Sequence, residues 1–214
     1  MSFSADKFSR KGSKLHNRRH RLTLFLVAAL SFSASLYGQE LPQNQKGRWD
    51  ISPFLAAETG EETTNSFSQA QIWSAGIFFG KVLTAEHGKG WLRGNLEYGF
   101  DVVPLFVQTN IQKVYGGAFD PVILRWNSSR HPTRIAPYIE LSGGGVATTK
   151  NLPPGDTSSF NFMAKGGGGI YVATRKKQAL DISCRWSHIS NANLGVRNPE
   201  FNGIQVSFGY HWFR

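Results

Sequence analysis

From Arg48 to the carboxy terminus, apolar and polar residues alternate in segments of roughly ten residues, separated by turn-rich pieces. Eight such segments are present: Arg48 to Glu58, Ala70 to Gly80, Gly90 to Val103, Tyr115 to Trp126, Thr133 to Ala147, Ser158 to Ala173, Gln178 to Ser190, and Asn202 to Phe213. A period of two places alternate side chains on opposite faces of a strand. An even number of such segments, each only weakly hydrophobic, predicts an all-β chain: an eight-stranded antiparallel transmembrane β-barrel of the outer membrane, with one face toward lipid and the other toward a polar interior. The last segment shows the pattern most clearly. Ile204, Val206, Phe208, Tyr210 and Trp212 fall on one face, and Gln205, Ser207, Gly209 and His211 on the other.

Connection lengths predict an orientation. With the amino terminus in the periplasm, the polar stretches Thr59 to Gln69 and Thr148 to Thr157 are extracellular. Asn127 to Pro132 and the basic turn Thr174 to Lys177 are periplasmic, and so is Lys81 to Lys89, which is long for a turn on that side.

Charge adds a leader to this picture. The formal net charge is +10, but seven of the 24 Lys and Arg residues precede Leu22, against the single acid Asp6. They run into the apolar stretch Leu22 to Leu30 and then the small residues Ser33, Ala34, Ser35 and Gly38. This order is that of a secretory signal peptide, and the apolar stretch is shorter than the roughly 20 residues of a membrane-spanning helix. Residues 1–38 are therefore expected to be a signal peptide and 39–214 the barrel domain. What remains is an ordinary mixed surface, which excludes nucleic acid as the expected partner. The single cysteine, Cys184, excludes a disulfide framework.

Candidate chemistry is concentrated near the end of the chain. His188 and Ser190 are two residues apart on the seventh segment and so project from one face, an arrangement that lets an imidazole activate a hydroxyl. They share that face with Ile182, Cys184 and Trp186, which makes it the lipid face. Polar groups turned toward lipid are costly and call for a functional reason. The seventh segment rises toward the extracellular side, so the substrate at that address is lipopolysaccharide. The glycine runs Gly143 to Gly145 and Gly166 to Gly169 lack the Lys-Ser/Thr of a phosphate-binding loop and read as strand positions where a neighbour packs close. No His or Cys spacing matches a zinc site and no acidic loop matches a calcium hand, so neither metal nor cofactor is expected.

The stretch His188-Ile189-Ser190-Asn191-Ala192, followed by Asn198-Pro199 and Asn202-Gly203-Ile204, resembles the signature of the lipid A 3-O-deacylase (PagL-type, acyloxyacyl hydrolase-like) family. The resemblance implies an outer-membrane barrel that hydrolyses the ester-linked 3-O-acyl chain of lipid A without a cofactor. It implies Ser190 as nucleophile, His188 as general base, and Asn191 and Asn198 in the oxyanion hole. The family's acid follows a Gly-Ile pair, and here Gly203-Ile204 is followed by the neutral Gln205. Gln205 also has inward parity, whereas Glu200 and Asn202 share the outward parity of Ile204. Glu200, the only carboxylate of the loop and last segment, is the expected third member, with Gln205 the alternative and a Ser-His dyad a further one. A non-catalytic small outer-membrane barrel with a structural or adhesive role stands beside the enzyme reading, and so does a soluble lipid-binding barrel. The expected partners are lipid A and outer-membrane lipid, and the sequence leaves a homodimer open.

Overall fold

The computed structural model describes residues 45–61, 70–129, 134–155 and 157–214. The leader proposed for residues 1–38 lies outside them. The chain forms eight strands: β1 (Trp49–Gly60), β2 (Gln71–Val82), β3 (Gly94–Thr109), β4 (Val114–Ser128), β5 (Ile135–Thr148), β6 (Phe160–Arg175), β7 (Gln178–Ser190) and β8 (Phe201–Phe213). Each pairs antiparallel with the next, and β8 returns to pair with β1, closing the barrel without a free edge. Both ends of the barrel chain lie at one rim, where Trp49 and Arg214 exchange backbone hydrogen bonds of 2.8 Å.

The third strand differs most from its sequence pattern. Residues Gly90–Leu92 form a single 3-10 turn, tied down by a bridge between His87 and Gly94, and β3 begins only at Gly94. At its other end β3 runs past Val103 to Thr109, although Pro104 suggests a stop. The pairing with β4 shifts between Val103 and Phe106, a bulge that takes up the proline, which has no N–H to offer the ladder. Loop lengths also depart from the long-outside, short-inside rule. The turn between β3 and β4 is the tight Asn110 to Lys113, while residues 83–93 make a long connection at the rim that holds the termini.

Alternation sorts the side chains cleanly. On β7, Leu180, Ile182, Cys184 and Trp186 face outward, while Ala179, Asp181, Ser183, Arg185 and Ser187 are buried inside. Aromatics mark both edges of the outer surface, with Trp49 and Trp212 near the terminal rim and Trp73, Tyr115 and Phe160 near the opposite one.

The interior is packed solid. An apolar cluster around Phe106, Val146, Met163, Ile189 and Phe201 fills the end nearest the β7–β8 loop, and one around Tyr138, Tyr171 and Phe213 fills the other. Between them lies a charged layer. Glu140 accepts from Arg125 at 2.5 Å and from Arg185 at 2.6 Å, Lys165 pairs with Asp120 at 2.7 Å, and His211 contacts Asp50 at 2.8 Å. Buried ions hold only when their partners are arranged to offset desolvation, and these are. The space within this layer open to the centre of a water-sized sphere is ≈ 30 Å³, room for a few waters at most, so among the described residues this layer holds no lipid-sized cavity.

Candidate active site

The two-residue turn Lys176-Lys177, with Lys177 at φ 68°, launches β7, which then runs unbroken to Ser190 at the far rim. The outward set of β7 ends in His188 and Ser190, both half-buried. Their side chains meet: Ser190 Oγ lies 3.1 Å from His188 Nε2. Across the sheet His188 is paired directly with Asn202 of β8, and Asn202 Oδ1 lies 2.8 Å from His188 Nδ1. If Oδ1 accepts from Nδ1–H, Nε2 keeps its lone pair for the proton of the serine hydroxyl. The indole of Trp186 stacks on the imidazole, with ring centroids 5.8 Å apart and planes at 19°.

The remaining residues singled out from the sequence fall in three places. Glu200 is half-buried at the end of the β7–β8 loop, where its Oε2 accepts from Asn202 Nδ2 at 3.5 Å, so it touches the residue behind the imidazole. Gln205 is inside the barrel, donating to Glu58 at 3.2 Å and accepting from Arg185 at 3.3 Å. Asn191 and Asn198 brace the loop between them. The Asn191 backbone N–H donates to Asn198 Oδ1 at 3.0 Å, and Asn191 Nδ2 donates to the carbonyl of Arg197 at 2.8 Å.

Directly after Ser190 the chain makes a tight turn in which Leu194 N–H donates to the carbonyl of Asn191 at 3.0 Å. Its two central residues, Ala192 and Asn193, sit at φ 51° and 64°. Asn tolerates that left-handed region, but for Ala it is strained, and strain of this kind gathers at functional sites. Among the described residues no group of three or more His, Cys, Asp or Glu is placed to hold a metal ion.

Asn202 is the residue whose part the sequence pattern leaves unassigned. Its outward parity is visible in the chain, but its place opposite His188 depends on the β7–β8 register, and a ten-residue connection does not set one.

Comparison with known proteins bears on the barrel and on the family. No curated protein matches the chain. Among solved structures it is similar to the crystal structure of the outer membrane enzyme PagL, at 18% identity and a TM-score of 0.52, over 75% of this chain and 97% of that one. It is also similar to the outer membrane protein OprG from Pseudomonas aeruginosa, at 11% identity and a TM-score of 0.48, over 82% of this chain and 99% of that one. These likenesses concern the barrel. The model of the lipid A 3-O-deacylase (PagL) family matches residues 59–211, most of the chain and the barrel wall from β2 almost to the end of β8, and the protein belongs to that family.

Proposed function

We propose that this protein is an outer-membrane hydrolase that removes the 3-O-linked acyl chain of lipid A, with Ser190 as nucleophile and His188 as general base. The observation that carries this reading is the hydrogen-bonded series Ser190, His188, Asn202 on the lipid-facing wall, in a chain of this family. Ser190 is the last residue of β7, so its hydroxyl stands where strand gives way to loop. With the termini in the periplasm that rim is extracellular, level with the outer leaflet.

The chemistry follows from the geometry. Ser190 Oγ attacks the ester carbonyl carbon while His188 Nε2 takes the hydroxyl proton. The tetrahedral intermediate collapses by breaking the bond to the sugar oxygen, which leaves with the proton held on His188. Water then attacks the acyl-enzyme with His188 again as base, releasing the fatty acid and restoring Ser190. Asn202 orients the imidazole and selects its tautomer, as the amide of a Cys-His-Asn protease does. Glu200 holds the Asn202 amide through Nδ2 and so acts behind it. The oxyanion is assigned to the β7–β8 loop, where Asn191 and Asn198 brace the Ala192-Asn193 turn that follows the nucleophile in the chain.

Mass spectrometry of lipid A from cells expressing the protein tests the proposal. A species lacking one acyl chain should appear with the wild type and be absent with Ser190→Ala. Unchanged lipid A in both would favour the structural barrel.

A further inference from the structure

We infer that Trp186 is a positioning residue that takes over part of the role of the absent carboxylate, its indole face stabilising the imidazolium that forms on His188 during catalysis. The inference rests on the hydrolase reading of the Ser190–His188 pair.

When His188 accepts the serine proton it becomes a cation on the outer wall of the barrel, close to lipid. A triad carboxylate ordinarily balances that charge. Here the group at Nδ1 is the neutral side chain of Asn202. An amide can orient the ring but cannot balance its charge. The outward neighbours on the flanking strands are Phe162, Ala164 and Gly166 on β6 and Asn202 and Ile204 on β8, and none of them ionises. Glu200 bonds to Asn202 at 3.5 Å, one residue removed from the ring.

What lies against the imidazole is Trp186. Two residues before His188 on the same outward face, its ring is 5.8 Å from the imidazole centroid and within 19° of parallel. That is inside the roughly 6 Å range of a cation–π contact, for which Trp offers the best face and which strengthens where water is scarce. A lipid-facing Trp near a rim also suits the aromatic belt of a membrane barrel. The two roles differ in what they do to turnover.

The test uses the full-length barrel in detergent micelles with purified lipid A, scored for folding by its heat-modifiable gel mobility. Trp186→Leu and Trp186→Met should each lower kcat about tenfold with KM little changed, and Trp186→Phe should keep most of the rate. With Asn202→Asp in the background, Trp186→Leu should cost less than about twofold, because a carboxylate now balances the ring. A rise in KM with kcat intact would make Trp186 a wall of the substrate site and overturn the inference. So would the same loss of kcat with and without Asn202→Asp. Wild-type protein that leaves lipid A intact, or activity that survives Ser190→Ala, would instead sink the hydrolase reading, and the inference with it.

Discussion

Asn202 and His188 are direct partners across the β7–β8 ladder, and the side-chain oxygen of one lies 2.8 Å from Nδ1 of the other. An amide therefore occupies the place behind the imidazole where a triad has its acid. Asn202→Ala should lower kcat by at least an order of magnitude, since the ring loses both orientation and tautomer. Asn202→Asp should raise kcat above wild type by supplying charge. A rate unaffected by either change would remove Asn202 from the catalytic series.

Ser190→Ala and His188→Ala should each abolish deacylation while leaving the heat-modifiable gel shift intact, because both side chains face away from the packed interior. Groups that act as a unit are non-additive, so the double variant should be no slower than either single one. Residual turnover in Ser190→Ala well above that of the double variant would point to a different nucleophile.

Glu200 and Gln205 should separate by phenotype. Glu200→Gln should cost a few-fold in kcat, because the Asn202 amide loses its carboxylate partner but keeps its place. In the Asn202→Asp background the same change should cost nothing or raise kcat, because it removes the like charge that Glu200 sets beside the new carboxylate. Gln205→Ala should act on the barrel instead, lowering the temperature at which the folded gel form is lost, because Gln205 links Glu58 of β1 to Arg185 of β7 from inside.

The sequence discloses this site unevenly, for physical reasons. Period-two alternation fixes which way a side chain faces, so the outward placement of His188 and Ser190 and the inward placement of Gln205 follow from counting along the chain. Counting does not give which residue of β8 stands opposite His188, because that depends on how the β7–β8 loop folds. Asn202 could be recognised only once the register was known. The third segment, read as ending at Val103, runs on for the same kind of reason, since the residue after Val103 is Pro104. It removes one ladder bond, but a local bulge absorbs the defect and β3 continues to Thr109. The charged layer of Arg125, Glu140 and Arg185 also needed the barrel to close before residues from three strands could meet.

Glu140 is the shared acceptor of two buried arginines, and Glu140→Gln should leave both without their ion partner. A loss of about 3–5 kcal/mol of barrel stability is expected, read as earlier conversion of the folded gel form on heating. The specific activity of the protein that remains folded should not change. A parallel loss of activity at low temperature would show that the interior reports to the site.

The glycine runs should respond position by position. A Cβ at Gly167 would lie 2.2 Å from the carbonyl oxygen of Cys184 and 2.7 Å from Arg185 Cα, so Gly167→Ala should force β6 away from β7 and impair assembly. At Gly143 the nearest atom to a new Cβ is Met163 O at 3.9 Å, and Gly143→Ala should assemble normally. Equal yields of folded barrel from the two variants would contradict this packing.

The filled lumen has a consequence for how the reactants arrive. With room for only a few waters among its charged residues, the described interior has no path for an acyl chain, so lipid reaches Ser190 from outside the wall. Ser190, the proposed nucleophile, is the last residue of its strand, at the rim of the barrel. The lipid can come only sideways, by diffusing within its own leaflet, while the hydrolytic water can come only from above. Turnover is then set by how many substrate molecules occupy a given area of membrane, and concentration in the surrounding fluid does not enter. Diluting lipid A with inert lipid in the same micelle should slow the enzyme, and diluting the micelles in buffer should not.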